Sequence, residues 1–315
     1  MIAYCPELVL VHDRSWHDAA TREILERLPG IGIKTISDAA AAHKLSAGSD
    51  RSTTLVLMHY PGAFLKACQG AGADMCCNYF VASHGWNCHL ECTYCVLQSY
   101  LKSKALFVFT NIEDLLAEVG KTLGLFPNKT FRIGTGELSD SLALDHITAY
   151  SRRLIPFFAS SANGILELKT KSDQIGNLAN LVHGGRTIVS WSLNPRRISR
   201  SEEPKSATID ERLSAAAQCA AWGYRLGFHF DPIVYFEGWE QEYQEIVGDL
   251  FAAVNPDVIA WISLGALRFT PSLREYIRER HPGSRLPYGE FVPGHHGKLR
   301  YFRPIREEIY RKMKS

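Results

Sequence analysis

From about residue 76 onward, short apolar runs of strand length alternate with stretches whose apolar residues recur every three or four positions. The strand-like runs are 79–83, 130–134, 166–170, 187–193, 225–231 and 257–263. The helical patterns are 112–122, 142–154, 173–181, 209–222 and 241–254. Strand–helix alternation predicts a parallel sheet covered by helices. Six strands are short of the eight that close a complete barrel, so the expected fold is α/β, a partial (β/α)6 barrel. In such a sheet the working residues sit at the C-terminal ends of the strands. Residues 1–75 read as a small N-terminal α/β extension: an apolar run at 8–11, helical spacing over 18–28 ending at Pro29-Gly30, and an apolar run at 53–59 before Pro61-Gly62. The expected organisation is therefore 1–75, a barrel over 76–270, and a C-terminal segment over 271–315.

Composition narrows this picture. With 315 residues, 46% hydrophobic and 22% charged, the chain can bury a large core and is not expected to be disordered. A net charge of +2 does not by itself imply nucleic acid. The distribution says more: between Arg280 and Ser315 nine Lys/Arg face three Glu, with aromatics interleaved. That pattern suits phosphate contact, and a solvated C-terminal helix would show it equally. The opening MIAYCPELVLVHD lacks the basic start and long apolar run of a signal peptide, and no stretch approaches the ~20 apolar residues of a membrane span. The expectation is a soluble, cytoplasmic protein without a membrane partner. Eight cysteines in a reducing compartment point to metal or redox use rather than to disulfides.

The chemistry concentrates after the first barrel strand, in Cys88-His-Leu-Glu-Cys92-Thr-Tyr-Cys95. Three thiolates from one loop can hold three irons of a [4Fe–4S] cluster, leaving the fourth iron open. An open iron is what the amino and carboxylate groups of S-adenosylmethionine (SAM) need for chelation, and one electron then yields a 5′-deoxyadenosyl radical. The alternative is zinc, with His84 or His89 as fourth ligand, although the second ligand pair usual for structural zinc does not follow.

Cys-x3-Cys-x2-Cys with an aromatic before the last cysteine is the signature of the radical SAM superfamily, and the chain resembles the spore photoproduct lyase family within it. The landmarks are Cys76-Cys77, Cys92-Thr-Tyr-Cys95-Val-Leu-Gln98, Gly134-Thr-Gly-Glu-Leu-Ser139 leading to Asp145-His146, Thr170-Lys171, and Ser190-Trp-Ser192-Leu-Asn194. They continue with Gly227-Phe-His-Phe-Asp-Pro232, Glu237-Gly-Trp239, Ser263-Leu-Gly265-Ala-Leu-Arg268-Phe and Gly297-Lys-Leu-Arg-Tyr301. The resemblance implies a radical SAM barrel. It implies a cluster on Cys88, Cys92 and Cys95, and SAM contacts at Ser139, Lys171, Ser192 and Asn194. It further implies DNA as a partner and an electron donor such as flavodoxin or ferredoxin. Lys, hydroxyl and amide groups are the partners that a carboxylate and a ribose require.

The resemblance also exposes a departure. The family's hydrogen-donating cysteine stands where this chain has Glu137, and no cysteine occurs between Cys95 and Cys219. A carboxylic O–H bond is too strong to serve as a thiol does. Glu137 is then a general acid/base, a substrate anchor, a SAM contact or a structural hydrogen-bonding group. A tyrosine that the family carries beside the last cluster cysteine is Val96, whereas Tyr94 is kept. Tyr94, Cys76 and Cys77 are the candidate replacement donors. The family's C-terminal hairpin, which wedges into damaged duplex, has a counterpart in Lys298, Arg300 and Tyr301, where basic groups would meet phosphates and an aromatic would stack. The plain alternative is a strand whose aromatics face the core. His295 and His296 read as solvent-exposed. The competing function is a radical SAM enzyme of the same core acting on a peptide or small metabolite.

Overall fold

The computed structural model describes residues 3–38, 41, 53–68, 79–101, 103–294 and 297–315. Cys76, Cys77, His295 and His296 lie outside the described residues. The strands in the first part of the chain are β1 (Leu8–His12), β2 (Gly32–Ile36), β3 (Thr54–Met58), β4 (Leu65–Ala67), β5 (Tyr79–Ala82), β6 (Gly85–Trp86) and β7 (Leu106–Phe109). They are followed by β8 (Phe131–Gly134), β9 (Gly164–Thr170), β10 (Thr187–Ser192), β11 (Arg225–Ile233), β12 (Ile259–Ala266), β13 (Arg268–Phe269), β14 (Phe291–Pro293) and β15 (Leu299–Tyr301). The helices are α1 (Ala19–Glu26), α2 (Leu97–Tyr100), α3 (Ile112–Leu125), α4 (Asp145–Thr148), α5 (Ser151–Ala159), α6 (Arg196–Glu202), α7 (Ile209–Ala221), α8 (Trp239–Ala253), α9 (Pro271–Arg280) and α10 (Arg303–Lys314).

The six expected barrel strands are present in one sheet, in the order β12-β11-β10-β9-β8-β5, all parallel, with β4 antiparallel at the edge beside β5. This is a partial barrel. A second sheet runs β2-β1-β3-β7 in parallel, with β6 antiparallel to β7. Each sheet takes strands from both sides of residue 75: β4 joins the barrel sheet, while β6 and β7 join the other. Strands β3 and β7 are buried along their whole length, as central parallel strands covered on both faces should be. The edge strand β2 is mostly exposed and carries Lys34 and Thr35.

Inside the barrel the period-two alternation sends polar groups inward. Glu167 Oε1 accepts from Ser190 Oγ at 3.1 Å and from His229 Nε2 at 2.9 Å. With Nε2 protonated, His229 Nδ1 accepts from the Ser263 hydroxyl at 2.6 Å. Burial lowers the His229 pKa, which keeps this neutral form. The Arg132 guanidinium lies 4.8 Å from the ring centres of both Tyr79 and Trp261, bridging the first and last parallel strands. On the outer side Trp191, Phe228 and Phe230 are at most 1% exposed. Each such ring contributes about 1.5–3 kcal/mol of burial.

Three expectations change. The pattern over 142–154 is two helices, because Ala149 adopts φ 51° and ends α4. The buried Asp145 carboxylate then accepts from the Ser151 N–H at 2.9 Å and its hydroxyl at 2.6 Å, which starts α5. The pattern over 173–181 is only a 3-10 turn at Gly176–Leu178, since Gly176, Asn177 and Asn180 are poor helix formers and Asn180 sits at φ 61°. Strand β7, an apolar run at 106–109, adds to the expected strands.

Gly85 is where β6 meets β7 most closely: a Cβ there would lie 2.3 Å from the Phe107 carbonyl oxygen. Gly85→Ala should therefore lose about 1–3 kcal/mol, read as a lower urea midpoint. Gly248→Ala, with nothing within 4 Å and a helical position, should instead be neutral or gain up to about 1 kcal/mol.

Candidate active site

The three motif cysteines lie on a loop whose two stems are clasped together by the pairing of β6 with β7. Asn87, at φ 75°, donates from Nδ2 to the Ser103 and Ala105 carbonyls at 3.1 and 3.2 Å. Gln98 Nε2 donates to the Cys92 and Thr93 carbonyls at 2.6 and 3.2 Å. The loop is thus cross-braced before any ligand is considered.

A cavity of about 360 Å³ opens where this loop meets the C-terminal ends of the barrel strands. Cys88, Cys92 and Cys95 line it, together with Glu137 and Ser139 after β8, Lys171 after β9, Ser192 at the end of β10, and Lys298 from the turn between β14 and β15. Burial raises all three thiol pKa values, Cys92 to about 12 against an opposing pull from Lys171. Neutral thiols are the form that metal binding must deprotonate. The Ser139 hydroxyl is buried and finds no hydrogen-bond partner among the described residues. Burial works against the Lys171 charge, but Cys92 and Glu203 outweigh it and the pKa is raised. Its ammonium lies 5.5 Å from the Tyr94 ring centre. Asp140 positions this wall: Oδ1 accepts from the Leu142 and Ala143 N–H groups and from Thr170 Oγ1, and Oδ2 accepts from the Lys171 N–H at 2.8 Å.

Behind the wall sits an ion pair shut away from water. Arg212 and Glu203, both with fully buried side chains, meet at 2.5 Å. Arg212 also donates to the Ala207 carbonyl at 2.8 Å and the Ser192 carbonyl at 2.9 Å. Glu203 accepts from the Tyr94 hydroxyl and from Asn194 Nδ2. Burial alone would raise the Glu203 pKa, but Arg212 and Lys171 hold it well below the carboxylate range. One carboxylate therefore ties the cysteine loop to the end of β10.

The structure places the expected residues unequally. Ser139, Lys171, Ser192, Glu137 and Lys298 reach the cavity with the three cysteines. Asn194 does not: it is fully buried, its amide spent on Glu203 and on the Tyr243 hydroxyl at 2.8 Å. Tyr94 contributes its ring to the wall, but its hydroxyl turns away to Glu203. Tyr301 is not offered for stacking on a base. It is 4% exposed, its ring stacks on Phe291 at 4.9 Å, and its hydroxyl accepts from the Tyr235 N–H at 3.0 Å. Arg300 is half-buried, with a buried Nε that finds no partner among the described residues. Phe302, 51% exposed, is the aromatic that faces solvent beside the hairpin. His84 and His89 are buried, with pKa values lowered by burial to about 4, and neither forms part of the cavity wall.

Glu137 is exposed into the cavity, and its charge is felt by Arg268. Arg268 grips Asp231 through two contacts, at 3.1 and 3.3 Å. Sequence reasoning missed Asp140, Glu203, Arg212 and Asp231 as parts of the site. Arg268 and Asp231 stood inside quoted landmarks without a role. Among the described residues no thiol other than the three motif cysteines lines the cavity; Cys5 and Cys68 are exposed elsewhere, and Cys219 is buried. Among the same residues no helix is long and apolar enough to cross a membrane.

Comparison with known proteins bears on this arrangement. The family model described as spore photoproduct lyase matches residues 76–310. Spore photoproduct lyase of Bacillus subtilis (strain 168) is 26% identical over 298 residues, 91% of this chain and 85% of that protein. The protein of the same name from Geobacillus sp. (strain Y412MC61) is 31% identical over 206 residues, 64% of this chain and 60% of that protein. Among solved structures, a cysteine-to-alanine mutant of spore photoproduct lyase superposes with a TM-score of 0.88 at 25% identity, covering 99% of this chain and 95% of that one. A second mutant structure, with bound AdoMet and dinucleoside spore photoproduct, gives 0.87 at 24% identity over the same shares.

Arg212→Met should leave Glu203 as an uncompensated buried charge and cost about 3–5 kcal/mol in thermal or urea unfolding. The folded Glu203 pKa lies below its ordinary 4.5, so its contribution is complete above that value and is lost as pH falls through the depressed one. The acid-side loss of stability should accordingly be shallower in Arg212→Met than in the unaltered protein.

Proposed function

The chain belongs to the spore photoproduct lyase family, and from that membership we propose that it is a radical SAM lyase acting on a photoproduct-type base lesion in DNA, with SAM and one [4Fe–4S] cluster as cofactors. One observation carries the reading: the three thiols of Cys-x3-Cys-x2-Cys share a cavity with the half-buried Lys171 and with the Ser139 hydroxyl, which is buried and finds no partner among the described residues. That donor set fits the cofactors. Cys88, Cys92 and Cys95 would hold three irons. Lys171 would pair with the SAM carboxylate, and the Ser139 and Ser192 hydroxyls would serve its remaining polar groups. When bound, this cofactor pair supplies a one-electron reductive cleavage that generates a carbon-centred radical.

The chain's own residues prepare the site for that chemistry. Asp140 fixes the backbone that carries Lys171, and Arg212 fixes the Ser192 carbonyl. Arg268 and Lys298 bring positive charge to the same cavity, suited to the phosphates that flank a lesion. Glu137 replaces the family's thiol with a group that, ionised, only accepts hydrogen bonds. Its role in this reading is to anchor an N–H edge of the substrate base, while hydrogen return falls to another group. Tyr94, Cys76 and Cys77 remain the candidate donors, with the Tyr94 hydroxyl hydrogen-bonded to Glu203. The absent thiol also supports a second reading, the same radical core acting on a peptide or small metabolite.

Anaerobic turnover with dithionite separates the two. Formation of 5′-deoxyadenosine should accelerate with UV-irradiated DNA, and equal rates with and without it would overturn the DNA assignment. Glu137→Cys should gain dimer reversal if only the terminating donor differs from the family. Serine at Cys88, Cys92 or Cys95 should abolish the broad visible absorbance of the reconstituted protein. Lys171→Ala should weaken SAM binding at least about tenfold by calorimetry, the equivalent of one charged hydrogen bond.

A further inference from the structure

A second cavity, of about 260 Å³, shares Cys88, Leu90, Cys92, Cys95 and Leu97 with the first. Beyond these, its wall includes Gln98 of α2, Leu101 just beyond it, Lys104 before β7, and Tyr276, Arg280 and His281 at the end of α9. Helices α2 and α9 pack against each other, and His281 Nε2 lies 3.2 Å from Gln98 Oε1. The motif thiols therefore stand between two cavities, one walled by strand ends and one opening beside two surface helices.

The surface around the second opening combines apolar and basic groups. Tyr100 on α2 is 65% exposed, and Val96 immediately before it is 38% exposed. Arg280 is exposed at the cavity edge, and Lys104 stands in the wall. The acidic groups nearby are largely engaged: Glu91 binds Lys205 at 2.6 Å, and Glu275 on α9 binds Arg278 at 3.5 Å, with Glu279 the acidic exception on that helix. An exposed aromatic with a basic rim is the anatomy of a transient interface steered by charge.

We propose that this second face is the docking surface of a small acidic one-electron carrier protein, of flavodoxin or ferredoxin type. The proposal rests on the radical SAM reading above. In that reading SAM and substrate fill the first cavity, so an electron must arrive from elsewhere. The second cavity reaches the same thiols from beside two surface helices. One electron would leave the carrier, which is oxidised, and reduce the cluster that Cys88, Cys92 and Cys95 would hold. No bond to the carrier forms, and no proton has to move.

The test compares two reductants on the reconstituted full chain carrying Lys104→Glu and Arg280→Glu together. Reduced flavodoxin is the protein probe, and dithionite, too small to need a docking surface, is the control. The double variant should keep dithionite-driven SAM cleavage within about twofold. Its calorimetric affinity for flavodoxin, and the rate at which flavodoxin bleaches its visible absorbance, should both fall about tenfold or more. Raising ionic strength from about 0.05 to 0.3 M should weaken flavodoxin binding to the unaltered protein. Unchanged affinity and bleaching rate in the double variant would overturn the docking surface while leaving the enzyme reading intact. An unaltered chain that cleaves no SAM with dithionite would overturn the enzyme reading, and the docking surface with it.

Discussion

A carboxylate and a guanidinium sealed from water cannot separate without leaving an uncompensated charge, and that constraint holds Glu203 to Arg212 behind the cavity. The pair would be a poor source of stability compared with well-packed apolar residues. Its effect is positional. Through Tyr94 it fixes the cysteine loop, and through the Ser192 carbonyl it fixes the end of β10. Two walls that must face one ligand are thereby held at a set separation. Asp140 does the same for the third wall, fastening Lys171 to the turn after β8.

Much of the framework was legible in the sequence because its signals are local. Six apolar runs separated by helical spacing correspond to the six parallel strands, and the cysteine spacing located the loop directly after the first of them. What escaped was decided by tertiary context. Strand β7 reads as one more apolar run, and nothing local says that it leaves the barrel to pair with β3. Asn194 sits at the end of the Ser-x-Ser-x-Asn pattern, yet the next turn of chain carries it into the interior instead of the cavity. Tyr301 shows the same limit, since an aromatic among basic residues fits either a nucleic-acid contact or a core position. Glu203 and Arg212 carry no local signal, because only burial against each other gives them a role.

The cavity wall divides by its chemistry. The thiols, Ser139, Lys171 and Ser192 bring sulfur, hydroxyl and ammonium groups to one part of it. Opposite them, Glu137, Arg268 and Asp231 make a charged floor in which no thiol is available among the described residues. A radical formed in such a place would have to be quenched through an aromatic or through the cofactor itself. The polar lumen beneath, built from Glu167, Ser190, His229 and Ser263, satisfies its own hydrogen bonds and so can stay dry and rigid under that floor.

The clasp between β6 and β7 makes the seat of the three thiols depend on the sheet of β1, β2 and β3 as well as on the barrel. Warming that frays this smaller sheet would spread the sulfurs while the six parallel strands were still intact. Loss of colour would then run ahead of loss of ellipticity, and the iron would act as a thermometer for the sheet beside the barrel.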